Sequence, residues 1–333
     1  MRRMEYLSPT SISLWEQNRD EFYITYLSEN RAPRFPQTVP MSIGSSFDAY
    51  VKSFLHGELF GKGYDPRFEL KTLFEAQVEP QNRDRAWEDG AHAFECYKRS
   101  GALADLMTEL QQSVGTPRFE IEVKGAISGS RESVSREIGD VVFLGKPDVF
   151  YVNKSGCYVI LDFKVNGWYS TRNVSPMKGY IRIRSGSGVP ILSGPHKDCI
   201  PMAFKGTMIN CGLYLEDCDE GWAKQLSIYG WLCGVDVGDE FVTAIDQIAC
   251  KPSGGKFPEV RIAEHRLRIR PDFQRGLYQR AQEIWEIVHS NHIFRELSLA
   301  DSQAKCEMLD RQAEQLAKPV TLEDKIFNQI TRG

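Results

Sequence analysis

The chain has 333 residues, of which 41% are hydrophobic and 26% charged, with a formal net charge of -4. This is the composition of a globular protein, and it excludes polyanion binding through total charge, so any nucleic-acid contact must be local. No apolar run reaches the about 20 residues of a membrane-spanning helix, and the start "MRRMEYLSPTSISLWEQ" lacks the apolar segment of a signal peptide. A cytoplasmic location without a membrane partner is expected. The eight cysteines contain no CxxC pair, which reads as reduced thiols, not as a zinc ribbon or a disulfide framework.

The first third reads helical. Ser8 and Pro9 form an N-cap and first-turn pair, after which Ile12, Trp15, Phe22 and Tyr26 recur at roughly helical spacing. Further helices are expected through "SIGSSFDAYVKSFLHG", over 82–98 and over 101–113.

At Pro117 the pattern turns to alternation. "PRFEIEVKGAIS" reads as a first strand, "EIGDVVFLGKPDVFYV" as a second and "CYVILDFKV" as a third, with "NKSG" as the turn between the last two. Residues of about 166–215 are rich in Gly, Pro and Ser and read as an insertion, with a hairpin around "GYIRIRSGSG". A helix follows in "DEGWAKQLSIYGWLCG", then the strands "EFVTAIDQIAC" and "EVRIAEHRLRIR". An amphipathic helix over 272–296 closes the pattern, with Phe273, Leu277, Ile284, Trp285 and Val288 on its apolar face.

This order predicts an α/β fold of the α+β type, with a small mixed sheet flanked by helices. One elaborated domain is expected: a helical part (1–115), an αβ core (116–270) carrying the insertion, and a helical C-terminal part (271–333).

Charges stand where strands should be apolar. Strand alternation puts Asp162 and Lys164 on one face with Tyr158 and Ile160, and Val159, Leu161, Phe163 and Val165 on the other. Asp148 lies on the preceding strand and reaches the same end only if that strand bends or stops early, which Pro147 favours. Two neighbouring carboxylates repel unless a cation sits between them, and magnesium uses one or two carboxylates with waters and phosphate oxygens. A surface salt bridge between Asp162 and Lys164 is the alternative.

"KPDVFYV" followed by "ILDFKV" resembles the signature of the PD-(D/E)XK nuclease superfamily. "QLSIY" at 225–229 is similar to the Gln-x-x-x-Tyr motif of its RecB-like and phage-exonuclease branch, and "YLSPTSISLWEQNRDEFYITYL" resembles that branch's opening helix. The likeness spans roughly residues 6–235 with the motifs in order. Where the branch carries Gly-x-x-x-His, "GSSFD" has Gly44 but puts Asp48 in place of the histidine, which leaves the choice of metal open.

The resemblance implies a restriction-endonuclease-like core and a metal-dependent DNA nuclease, an exonuclease serving recombination, repair or phage DNA metabolism. It assigns Asp148, Asp162 and the backbone carbonyl of Phe163 to Mg2+ or Mn2+, with Asp48 as a further ligand. Lys164 would position the attacking water, and Gln225 and Tyr229 would steady the site or contact DNA. An iron–sulfur cluster is disfavoured, because Asn18 stands in the opening helix region and Cys306 is the single cysteine beyond residue 250. The different-class alternative is an inactive nuclease-fold subunit for DNA binding or assembly, and an RNA substrate is a third reading. Candidate partners are DNA and a recombinase, single-strand-binding protein or helicase.

Lys178, Arg182 and Arg184 in the insertion are the expected DNA contacts; Arg266, Arg268 and Arg270 form a second alternating run. Glu122 and Asp140 compete as acids on neighbouring strands, and His289 and His292 are three apart on the closing helix. Each of these has a bland reading as a solvated or edge residue.

Overall fold

In the computed structural model, which describes residues 2–29, 35–128, 140–165, 182–183, 214–251, 259–290, 306–307, 310–311 and 314, the chain is mixed α+β. Helix α1 (Pro9–Gln17) starts where Ser8 and Ser11 cap each other reciprocally. It stops at Asn18, whose Oδ1 accepts from the N–H groups of Asp20 and Glu21 and so begins α2 (Arg19–Phe22), followed by a π turn at Tyr23–Leu27. The expected single opening helix is therefore broken by a capping side chain.

The helix expected through 42–57 runs as α3 (Val39–Phe60), with Pro40 in its first turn and Ile43, Phe47, Val51 and Leu55 buried at four-residue steps. Burying a side chain such as Phe47 is worth about 2–3 kcal/mol. Next come α4 (Leu70–Gln77), which the periodicity did not announce, α5 (Arg83–Ser100) and α6 (Ala102–Gln111). Gly101 separates the last two at φ 92°, a left-handed conformation that suits glycine.

Two expected strands are each split. "PRFEIEVKGAIS" becomes β1 (Arg118–Phe119) and β2 (Val123–Ile127), interrupted where Glu120 adopts φ 51°. "EIGDVVFLGKPDVFYV" becomes β3 (Val141–Gly145) and β4 (Val149–Val152), interrupted around Pro147. β5 (Tyr158–Val165) follows the turn at 153–156. Then β6 (Arg182–Ile183), α7 (Glu220–Leu232), β7 (Val242–Lys251), β8 (Glu259–Leu267) and α8 (Pro271–His289) complete the described elements. The hairpin expected around 179–188 lies mostly outside the described residues, and the part described, β6, pairs with β8.

The main sheet has the order β1-β4-β5-β7-β8-β6, and β2 and β3 form a separate pair. β5 and β7 are parallel, so the chain must cross over between them, and α7 lies on that crossover. The other pairs are antiparallel. On one face Val159, Leu161 and Phe163 pack with α3, α5 and α6; on the other Ile160 and Ile245 pack with Leu226 and Tyr229 of α7. A third cluster joins α1, β3, α7 and α8 through Trp15, Phe143, Trp231 and Leu277. The result is helix, sheet, helix in layers.

Glycine sets how closely α7 approaches. A Cβ on Gly145 would lie 2.7 Å from Cδ1 of Tyr229 and 2.8 Å from Cδ1 of Leu232, so the end of β3 admits the helix only as glycine. No described helix is long and apolar enough to cross a membrane.

Candidate metal centre at the end of the sheet

The split after β3 decides the position of Asp148. β3 ends at Gly145 and β4 begins at Val149, so Asp148 sits at the start of β4 beside the finishing end of antiparallel β5. Its Oδ2 accepts the backbone N–H of Phe163 at 2.8 Å, which fixes the carboxylate against β5. Asp162 and Lys164 share the α7 face of β5, as alternation requires, and their charged atoms meet at 2.5 Å.

Helix α7 completes this side. Asp219 caps it by accepting from the N–H of Trp222 at 2.9 Å, which orients the first turn. Gln225 and Tyr229, four residues apart, then face the sheet together. Gln225 Nε2 donates to Asp162 Oδ1 at 3.0 Å and to Tyr229 Oη at 3.0 Å, while its Oε1 accepts from Lys164 at 2.9 Å. Tyr229 belongs both to this network and to the apolar core under α7. A cleft of about 240 Å³ opens beside Gln225 and Tyr229, lined also by Ser8, Lys146 and Glu122.

On the α3 side the carboxylates gather differently from the expectation. Asp48, Glu120 and Asp148 each offer an oxygen within 4.8 Å of the others. Asp162 is not in this trio and is bound instead by Lys164 and Gln225. At the centre of the trio lies Lys52, one turn beyond Asp48 on α3 and 1% exposed, with Nζ 2.7 Å from Asp48 Oδ2, 2.7 Å from Asp148 Oδ1, and in contact with Glu120 Oε1. Lys146 pairs with the other oxygen of Glu120.

Neither Lys52 nor Glu120 is among the residues that the motifs single out. Glu122 reads in the sequence as a competing acid whose simpler role is a strand-edge charge, and the backbone turn at Glu120 breaks the alternation that relates the two. It sends Glu120 to the trio and leaves Glu122 on the cleft wall.

Burial dominates the titration of the acids. It raises Asp48 to about 7 against the opposing pull of Lys52, with Asp148 and Glu120 adding repulsion. It raises Asp162 to about 6 in spite of Lys164. For Lys164 burial acts downward, but the attraction of Asp162 outweighs it and the ammonium is held above its usual range. Burial also pushes Tyr229 up to about 12, so its hydroxyl stays protonated and can donate.

The remaining expected residues fall elsewhere. Arg266 is not part of a basic surface: its guanidinium is turned inward, 2.6 Å from the fully buried Asp246. Arg268 pairs with Glu240 at 2.6 Å and Arg270 with Asp217 at 2.7 Å, so this run is neutralised by neighbouring acids. Asp140 accepts from Ser128 at 2.7 Å. The ring nitrogens of His289 face the carbonyls of Trp285 and Met4 at 2.7 and 3.1 Å. Lys178, Arg184 and His292 lie outside the described residues, as does the side chain of Arg182.

The trio suits a hard divalent cation on its own chemistry. Its donors are three carboxylate oxygens, the set that magnesium and manganese prefer, and a buried ammonium already stands among them as a cationic stand-in.

No family model matches this chain, and no curated protein does. Among solved structures it is similar to one titled "Crystal structure of SSO0001", at 13% identity and a TM-score of 0.25, with 87% of this chain and 96% of that one covered.

Proposed function

We propose that the protein is a metal-dependent phosphodiesterase acting on DNA, with a restriction-endonuclease-like core of the PD-(D/E)XK, RecB-like kind. The observation that carries this reading is the meeting of Asp148, Asp162, Lys164 and Gln225 at one end of the sheet, from two consecutive strands and a helix more than 60 residues further along the chain. These are the residues that the sequence motifs single out for one site.

Asp48, Glu120 and Asp148 would hold Mg2+ or Mn2+, with Asp162 beside them. The bound cation would polarise a phosphodiester and lower the pKa of a water. The chain's own residues do the rest. Lys164, held by Asp162 and Gln225, presents an ammonium toward the end of β5, where it orients a water and stabilises negative charge developing on a phosphate. Gln225 keeps Asp162 and Lys164 in register, and Tyr229 accepts from Gln225 Nε2 at the cleft wall, which leaves its own hydroxyl proton free to donate. The Phe163 N–H fixes Asp148, so one carboxylate edge is committed to the backbone and the other faces the trio.

The test is degradation of linear and circular DNA with magnesium and with chelator. Loss of linear DNA only with magnesium, while circles survive, fits an exonuclease; cutting of both fits an endonuclease. No metal-dependent hydrolysis of any DNA overturns the assignment and leaves the binding-subunit reading.

A further inference from the structure

We propose that Lys52 is a tethered counter-ion of the acid trio, and that a divalent cation enters only as the Lys52 ammonium leaves. This rests on the metal-centre reading above and concerns how that centre is filled. Lys52 is almost fully buried, and its Nζ touches one oxygen from each of Asp48, Glu120 and Asp148. Those are the three residues whose oxygens converge closely enough to hold an ion. An ammonium and a divalent cation cannot both occupy the centre of these oxygens, because they need the same space and repel strongly in a buried site.

Gln77 donates through Nε2 to Asp48 Oδ2 at 3.1 Å and so holds that carboxylate in place beside the lysine. The lysine neutralises the acids and preserves their spacing.

The consequence is that metal affinity is weakened by a group inside the protein. Competition of this kind is a coupling between two occupants of one site, commonly 5- to 150-fold. Lys52→Met keeps the stem and removes the charge, so Mn2+ binding to the full chain, measured by the electron paramagnetic resonance of the free ion, should tighten at least about tenfold.

The deciding measurement uses the unaltered protein and does not depend on the variant's folding. In metal-free protein Lys52 should resist an amine-acylating reagent, and saturating Mn2+ should make it reactive, as read by mass spectrometry of the Lys52 peptide. Lys52 that stays protected at saturating Mn2+ overturns the proposal and leaves the metal centre standing, as does unchanged or weaker Mn2+ binding by folded Lys52→Met. If Mn2+ binds neither protein, the metal-centre reading itself fails, and this proposal with it.

Discussion

Gln225 clamps Asp162: its amide Nε2 donates to Asp162 Oδ1 at 3.0 Å while its carbonyl accepts from Lys164 at 2.9 Å. One side chain on α7 therefore sets the orientation of both charged residues at the end of β5. Gln225→Ala should lower phosphodiester hydrolysis by about 100-fold through misplacement of Lys164, with little change in thermal stability. Gln225→Glu should be at least as damaging, since it sets a third carboxylate against Asp162. Steady-state rates paired with melting curves check both.

Gly145→Ala should act on the same network from the opposite side. The added Cβ would fall 2.7 Å from the Tyr229 ring, closer than carbon atoms pack, so Tyr229 or α7 must shift. A loss of about 1–3 kcal/mol in denaturant unfolding is expected. Activity should fall further than the same loss of stability would produce at a distant core site.

Arg266 is a structural residue. Its guanidinium compensates Asp246, which is fully buried and also bonded by the Tyr97 hydroxyl. Arg266→Leu should cost about 3–5 kcal/mol, because it leaves Asp246 without its cation. Arg268→Ala and Arg270→Ala should change DNA affinity little, since both cations are already paired with acids. Urea melts and filter binding distinguish these outcomes.

His265 supplies a pH dependence. It is buried beside Gln247, its Nε2 3.0 Å from Gln247 Oε1, and burial lowers its pKa from 6.5 to about 4. The unfolded chain binds the proton first. The contribution of His265 to stability is therefore full above pH 6.5 and is lost as pH falls toward about 4. The total is on the order of 3 kcal/mol. His265→Gln should flatten the wild-type difference in urea midpoint between pH 7 and pH 4.5, and an unchanged slope would contradict the assignment.

Much of the site could be read from the sequence because it depends on short periods. Asp162 and Lys164 share a face by the two-residue repeat of a strand, and Gln225 and Tyr229 share one by the four-residue step of a helix. Both pairs meet at the end of β5. Lys52 and Glu120 escaped for a different reason. A lysine one turn after Asp48 reads as a solvated helix residue, and nothing local reveals that its partners lie 68 and 96 positions away.

Glu120 was hidden by apparent alternation in "RFEIEV", which the turn at φ 51° interrupts. The same limit affects Arg266: alternation gives its face, but the acid that buries it, Asp246, stands on the neighbouring strand. The second strand reads in the sequence as one run, with a bend or early stop favoured near Pro147; it is divided there into β3 and β4, because proline lacks the N–H that a ladder needs. The order of strands in the sheet is set by packing across layers, which no short period records.

The central claim is that Lys164, held by Asp162 and Gln225, works at a metal-dependent hydrolytic site. It is tested most directly by the magnesium-dependent rate of linear DNA hydrolysis by the unaltered protein and by Lys164→Ala, with folding of both verified by circular dichroism. The account predicts a rate that chelator abolishes in the unaltered protein and that falls by about 100-fold or more in the variant. Equal rates for the two folded proteins would contradict it.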